Sequence, residues 1–230
     1  MHLQLGATLA WTFLDFTKAA PEFHQALTLA PGSASVQSKF AGFSAQLGHF
    51  DIAENAARRG VSLDPQSADR HVTLGQVLLW ARRYDEALSA FRAAASLSPD
   101  SNYIKLATAM TLLASGRYEQ ALKICESLPS AAPPNGRLHC LALANHGLGR
   151  QQDADRTLQQ YEARHKDHPS LEMAGVYAQW GDKTAALKTL AKAEQLHDSA
   201  FQLLRVHWEL DPLRNEPEYK AIEARMNFPP

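Results

Sequence analysis

Histidine and cysteine are the side chains of this sequence with the greatest capacity for chemistry. The chain has 10 histidines, and His165 and His168 stand three residues apart, while His139 and His146 stand seven apart with Cys140 between them. Structural zinc sites need four ligands and catalytic sites need three, at short and recognisable spacings. Neither group supplies such a set. We therefore expect surface or groove histidines, with no bound metal and no cofactor.

Catalytic motifs are missing from the sequence as a whole. It has no stretch of the form GxSxG, HExxH, GxGxxG or GxxxxGK[ST]. Acidic pairs such as Asp85–Glu86 and Asp153/Asp155 fall at predicted helix starts, where a carboxylate favours the helix dipole and needs no catalytic explanation. We therefore expect that the chain is not an enzyme.

Charge and cysteine content exclude several classes of partner. Lys+Arg is 23 and Asp+Glu is 24, so the net charge of -1 provides no basic surface for nucleic acid. The sequence has no run of 18 or more apolar residues, so we expect no membrane span. Met1 to Ala10 also lacks the charged start and the sustained apolar core of a secretory signal. The two cysteines, Cys125 and Cys140, could be neighbours. In the reducing cytoplasm that we expect for this chain, a disulfide between them is improbable.

Proline recurs at a fixed interval along the first half of the chain. Pro31, Pro65, Pro99 and Pro133 are each separated by 34 residues. Three more columns keep the same register, two of small residues and one of aromatic rings. They are Ala7, Ala41, Gly75 and Ala109; Ala19, Ala53, Ala87 and Ala121; and Phe16, Phe50, Tyr84 and Tyr118. Four columns in one register indicate an internal repeat.

Each column has a physical reason in a pair of packed helices. The small residues let two helices cross closely, and the aromatic ring fills the wedge towards the next pair. Proline cannot continue a helix, so it closes one unit and opens the next. Beyond Pro133 the frame shifts, but Ala142, Gly149 and Ala154 keep the separations of the earlier repeats, as do Ala174, Gly181 and Ala186.

This pattern resembles the tetratricopeptide repeat, a helix-turn-helix unit of 34 residues. The positions that carry the resemblance are Leu74, Gly75, Tyr84, Ala87, Phe91, Ala94 and Pro99, while His71 stands where the motif usually begins with tryptophan. The resemblance implies an all-α fold, a right-handed α-solenoid of about six helix-turn-helix repeats. It also implies a non-enzymatic scaffold that binds protein or peptide partners.

The repeats predict the division of the chain. We expect a repeat array over residues 1–198, with repeats at about 1–32, 33–66, 67–101, 102–135, 136–168 and 169–198. Residues 199–230 then form a C-terminal capping helix pair, with one helix over Ala200 to Glu209 and another over Pro217 to Met226.

The tail carries a second resemblance. The stretch from Asp211 to Pro217 (DPLRNEP) is similar to the end of bacterial regulatory proteins whose C-terminal half is a repeat array, such as nucleotide cyclases, winged-helix regulators and kinases. The chain also begins inside a repeat. An alternative function is therefore a regulatory or self-association domain at the C-terminal end of a longer signalling enzyme or transcription regulator. An uncapped apolar start at Leu9, Phe13 and Phe16 would allow a homodimer through that end.

The candidate binding surface follows from the first helix of each repeat, which lines the concave face of stacked helix pairs. Positions at fixed offsets from the small residues give the expected groove. It comprises Trp11, Gln46, Val72, Gln76, Leu79, Trp80, Leu106, Met110, Leu113, His139, Leu143, His146 and Gln179. None of these is an acid, lysine or arginine. We therefore expect an uncharged aromatic and apolar groove for a peptide or partner segment. In the alternative interpretation, Leu79 and Trp80 pack against neighbouring helices and leave no open groove.

Overall fold

The computed structural model describes residues 1–129, 136–165 and 169–229, and these residues form helices, turns and loops. Thirteen α-helices lie in the described residues, and the expected all-α class is confirmed. They are α1 His2–Trp11, α2 Phe16–Leu29, α3 Ala34–Gln46, α4 Phe50–Leu63, α5 Ala68–Trp80, α6 Tyr84–Leu97, α7 Asn102–Ala114, α8 Tyr118–Ser127, α9 Gly136–Gly147, α10 Gln151–His165, α11 Leu171–Gln179, α12 Lys183–Gln195 and α13 Pro217–Arg225. Pro133 and His168 of the sequence patterns lie outside the described residues.

Helices α1 to α12 form six consecutive pairs, in which each helix packs against its partner. Every pair turns at a residue with positive φ, and this residue stands seven positions after the small residue of the first helix. These residues are Leu14, Gly48, Arg82, Gly116, Gly149 and Gly181. The left-handed conformation favours glycine, which occupies four of these six positions. The predicted register therefore extends through all six pairs, including the two after the frame shift.

Close helix crossing explains the columns of small residues. All six small residues of the first helices and all six of the second helices are buried. At Gly75 the approach leaves no room for a side chain, because a Cβ built there would lie 2.7 Å from a ring carbon of Phe91 on the paired helix α6. A side chain at this position would push the two helices apart.

Several helix starts are fixed by side-chain caps at the end of the preceding loop. Ser33, Ser101 and Ser170 accept hydrogen bonds from backbone N–H groups of the first turns of α3, α7 and α11, and Asp182 does so for α12. Each cap satisfies a donor that the helix cannot satisfy by itself. Among the described helices, we find none whose length and hydropathy would let it span a lipid bilayer.

The chain divides into two compact units. The first unit comprises Met1–Leu97, Ser199–His207 and Glu216–Pro230, and the second comprises Ser98–Asp198 and Trp208–Asn215. The expected cap therefore needs correction. Residues 208–215 do lie against α11 and α12 of the last pair, but the rest of the tail belongs to the unit that contains the first three pairs.

The tail also differs from its predicted secondary structure. The α-helix expected over Ala200 to Glu209 is wrong, since two short 3₁₀ helices, Ser199–Leu203 and Trp208–Leu213, take its place. Tertiary hydrogen bonds to backbone carbonyl groups hold this stretch in its observed conformation. The Tyr219 hydroxyl donates to the Leu204 carbonyl at 2.6 Å, and Arg82 donates to the Val206 carbonyl at 2.8 Å. The second expected tail helix is present as α13.

The N-terminal end of the first unit is partly covered by the tail. Phe16 is buried, and its ring centroid lies 4.5 Å from that of Phe228. Thr17 also donates a hydrogen bond to the Asn227 carbonyl at 3.4 Å. Phe13 remains 69% exposed. The apolar start that suggested a homodimer is therefore smaller than expected, and Phe16 does not belong to it.

The expectation that Cys125 and Cys140 are unpaired is wrong. They form a disulfide between α8 and α9 in the second unit, and both side chains are buried. The two helices pack side by side and bring the Cα atoms to 5.7 Å, which is within the range that a disulfide can bridge. Disulfides persist mainly in oxidising compartments, so this pair counts against the cytoplasmic location expected from the sequence.

Replacement of Gly75 by alanine tests the close crossing. We expect Gly75→Ala to lower the free energy of unfolding by about 1–3 kcal/mol, because the new methyl group overlaps the Phe91 ring. Gly42 on α3 is the matched control, since a Cβ there meets nothing within 4 Å. Gly42→Ala should raise the free energy by about 0.5–1 kcal/mol through helix propensity. Urea unfolding followed by circular dichroism measures both, and a stabilising Gly75→Ala would contradict the packing argument.

The disulfide yields a second stability prediction. The two cysteines are separated by 15 residues, a loop whose closure stabilises a fold by about 3 kcal/mol. The variant with Cys125→Ala and Cys140→Ala should therefore unfold with a free energy lower by about this amount. Mass spectrometry after thiol alkylation in denaturant without reductant should find both cysteines unmodified in the air-oxidised wild-type protein. Alkylation of both cysteines under these conditions would show that the bond does not form.

Candidate functional site

A cavity of about 350 Å³ opens in the first unit where three first helices and the tail meet. We call it the Trp11–Trp80 cavity. Its walls come from α1, α3, α5 and the end of the first 3₁₀ helix. The lining residues are Trp11; Ser38, Lys39, Gly42 and Gln46; Arg70, Thr73, Gln76 and Trp80; and Gln202 and Leu203.

Helical periodicity explains why these residues share one surface. Residues three and four apart lie on one helix face. Lys39, Gly42 and Gln46 follow this spacing on α3, and the equivalent positions on α5 carry Thr73, Gln76 and Trp80. The two helices thus present the same face of the repeat to the cavity.

Hydrogen bonds between one indole and two amide side chains connect the walls of the cavity. The indole N–H of Trp11 donates to Gln46 Oε1 at 2.9 Å, and Gln46 Nε2 donates to Gln202 Oε1 at 3.1 Å. Gln46 is almost fully buried, so these contacts satisfy an amide that would otherwise be costly to bury. The chain of contacts fixes one indole and connects the repeat to the tail.

Arg205 anchors the tail beside this cavity. Its Nη1 donates to the Leu47 carbonyl at 3.3 Å, and its Nε donates to Glu223 on α13 at 2.8 Å. The guanidinium also lies 4.6 Å from the centre of the Phe228 ring. Together with the bond from Arg82 to Val206, these contacts hold residues 199–207 as a fixed wall.

The prediction of an uncharged groove is wrong for this cavity, because Lys39 and Arg70 line it. The Lys39 ammonium lies 5.4 Å from the centre of a Trp11 ring. The sequence-based offsets took the third position before each small residue and the first, fourth and fifth positions after it. They therefore left out Lys39, two positions before Ala41, and Arg70, five before Gly75. Their long side chains reach the cavity from the first half of each helix.

A second cavity of about 300 Å³ lies in the second unit, and we call it the His146 cavity. It is lined by Leu113, Tyr118, Leu143, His146, Gly147, Gln179 and Trp208. The His146 ring stacks on Trp180 with a centroid separation of 4.1 Å. Burial of the ring lowers the pKa of His146 below its usual value, so the side chain is neutral at pH 7.

His139 does not lie in an open groove but in a buried ion pair of the second unit. Its Nε2 donates to Glu209 Oε2 at 2.9 Å, and the Glu209 side chain is fully buried. The ring stacks on Tyr161, whose pKa burial raises. Burial by itself lowers the pKa of His139, but the Glu209 carboxylate, which also accepts its hydrogen bond, and Glu172 outweigh this effect and raise it.

Helix α11 completes the pocket for the Glu209 segment. Gln179 donates from Nε2 to the Glu209 carbonyl at 2.9 Å. A Cβ at Gly175 would lie 2.5 Å from Glu209 Oε2, so the absence of a side chain there makes room for the carboxylate. The His139–Glu209 pair therefore connects α9 to the second 3₁₀ helix, and Gln179 connects α11 to the same helix.

The structure divides the predicted groove residues into three groups. Eight line one of the two cavities, namely Trp11, Gln46, Gln76 and Trp80 in the first unit and Leu113, Leu143, His146 and Gln179 in the second. Val72, Leu79 and His139 are buried. Leu106 and Met110 are half-buried and line neither cavity. The alternative interpretation, in which both residues pack against neighbouring helices, therefore holds for Leu79, which is buried, but not for Trp80, which lines a cavity.

Some lining residues could have been found from the sequence and others could not. Lys39 and Thr73 occupy one further column of the repeat, two positions before the small residue. Gln202, Leu203 and Trp208 come from the tail, and nothing in the repeat pattern places them. Within the described residues, no group of three or more His, Cys, Asp and Glu side chains is arranged to hold a metal ion.

Comparison with known families agrees with the helix pairs. Residues 45–101 and residues 78–145 match sequence profiles described as tetratricopeptide repeat. Residues 45–145 of the chain are therefore similar to tetratricopeptide repeats, a repeat type found in protein-interaction scaffolds. A search of curated protein sequences gives no significant match.

Solved structures with this fold include several repeat proteins. PilW, a type IV pilus biogenesis factor, superposes with a TM-score of 0.66 at 20% identity, over 88% of this chain and 94% of PilW. A tetratricopeptide repeat protein from Parabacteroides merdae gives a TM-score of 0.71 at 16% identity, over 98% of this chain and 82% of that protein. MamA gives 0.54 at 18% identity, over 72% and 92% of the two chains. At these identities the similarity shows the fold alone.

The buried pair predicts a dependence of stability on pH. The pKa of His139 is raised in the folded protein, so protonation of this side chain stabilises the fold. This stabilisation is complete below the pKa of the unfolded chain, 6.5, and is lost as pH rises through the pKa of the folded protein. We expect the free energy of unfolding to fall over this window in urea titrations.

The variant His139→Gln isolates the effect, because glutamine keeps a donor without a titrating group. Its unfolding free energy should decline less with pH than that of the wild-type protein. His24, an exposed histidine on α2, is the matched control as His24→Gln. Equal slopes for wild-type protein and His139→Gln would show that the pair does not titrate in this window.

Proposed function

We propose that this protein is a non-enzymatic scaffold that binds an extended segment of a partner protein in the Trp11–Trp80 cavity. The observation that carries the proposal is the composition of its walls. Two indoles and several polar side chains from three successive repeats and the tail face one space that could hold several side chains of a peptide.

Aromatic anchors of this kind dominate the energetics of protein interfaces. Tryptophan is enriched among the few residues that carry most of the binding energy, because it buries a large area with little loss of conformational entropy. Trp80 is half-exposed and Trp11 is held by its bond to Gln46, so both rings offer contact area in a fixed geometry.

Polar neighbours supply the second requirement of peptide binding. The backbone of an extended peptide carries unpaired N–H and C=O groups, which need partners once they leave water. Gln76 and Thr73 line the same wall as Trp80 and can exchange hydrogen bonds with such groups. The His146 cavity is a weaker candidate, since the tail's own Trp208 forms part of it.

Selection from a displayed library of random twelve-residue peptides tests the proposal without knowledge of the natural partner. Peptides enriched on the full-length protein should bind it in solution, and Trp80→Ala should weaken binding by about 30-fold, or about 2 kcal/mol, as expected for a central aromatic contact. Fluorescence polarisation with labelled peptides measures the change.

Phe13→Ala is the matched control, because Phe13 is a large exposed ring outside both cavities. It should leave peptide affinity unchanged, and thermal unfolding should show that both variants are folded. The proposal fails if no peptide is enriched, or if Trp80→Ala and Phe13→Ala affect binding equally.

A further inference from the structure

The cationic side chains of the Trp11–Trp80 cavity have no acidic counterpart among the residues that line it. Lys39 and Arg70 carry positive charge, and the other nine lining residues are uncharged. A concave site with one sign of charge attracts ligands of the opposite sign. The chain as a whole has a net charge of -1, so this positive potential belongs to the site and not to the protein.

Neither Lys39 nor Arg70 is neutralised by its present contacts, so each can still bind an anion. Lys39 lies over the Trp11 ring, a contact that does not neutralise its charge. Arg70 Nε is 3.7 Å from Asp64 Oδ2, which is too long for a hydrogen bond, and the Asp64 side chain is 46% exposed. Both cations can therefore still pair with an anion.

A carboxylate is an anion of the kind that these two cations can bind. It carries one negative charge, accepts several hydrogen bonds and pairs in planar geometry with a guanidinium. Two cations are too few for a nucleic acid, which presents a long row of phosphates. An aromatic or aliphatic side chain beside the carboxylate would use the two indoles.

We propose that the segment bound in the Trp11–Trp80 cavity is an acidic peptide, in which an Asp or Glu carboxylate binds Arg70 and Lys39 and a neighbouring apolar side chain contacts Trp11 and Trp80. This inference rests on the proposed function, because it specifies the partner of the same cavity.

The library peptide of highest affinity supplies the probe. It is compared with a counterpart in which every Asp is replaced by Asn and every Glu by Gln. The acidic form should bind the full-length protein at least about 10-fold more tightly at low salt, and the difference should shrink as salt screens the charges. Equal affinity of the two forms, or a best peptide without acidic residues, overturns the inference.

Charge variants locate the effect in the cavity. Lys39→Gln together with Arg70→Gln should reduce the preference for the acidic form to less than about two-fold. Arg59→Gln together with Lys123→Gln removes the same charge from exposed positions outside both cavities and should keep the preference. An equal loss in this control pair overturns the inference, because it would show a diffuse charge effect.

One single variant guards against loss of fold. Lys39→Gln alone changes a partly exposed side chain, so it should give part of the effect without lowering the melting temperature of the free protein. If Trp80→Ala weakens both peptide forms but the charge variants change neither, the cavity binds peptides and only the acidic preference is wrong. If no peptide binds, the proposed function itself fails.

Discussion

The close crossing of paired helices at small residues is the constraint on which the rest of this structure depends. Each crossing fixes how one helix is rotated against its partner, and therefore which face of the first helix remains for other contacts. In α5, Gly75 lies against Phe91, so Thr73, Gln76 and Trp80 must lie on the other side. A packing requirement between two helices thus determines which residues line the cavity.

Residues 199–215 show a second organising principle, in which repeat helices satisfy the polar groups of the tail. In the first unit Arg82 donates a hydrogen bond to the Val206 carbonyl, and in the second His139 donates one to the Glu209 carboxylate. A buried carboxylate is destabilising unless a partner of opposite charge meets it with good geometry. The polar residues on first helices therefore serve two purposes, since some hold the chain's own tail and others remain available in the cavities.

The sequence periodicity was sufficient to predict the helix pairs and their turns, but it did not predict the structure of the tail. The 34-residue register placed the turn at Gly48 and also the turn at Gly181 beyond the frame shift, because local packing repeats there unchanged. It also placed Trp80 at a cavity. It could not place Gln202, whose contact with Gln46 joins residues 156 positions apart, nor could it show that α8 and α9 bring Cys125 to Cys140. Such long-range contacts depend on tertiary geometry that no local pattern encodes.

The participation of Gln202 and Leu203 in the wall of the Trp11–Trp80 cavity has a consequence for biosynthesis. The lining residues of the three helices precede Gln202 by 122 to 191 positions in the sequence, so they leave the ribosome well before it. Contacts of such large sequence separation form late, since chain closure over a long loop must precede them. A nascent chain therefore exposes an incomplete pocket until Gln202 and Leu203 are available to complete its wall.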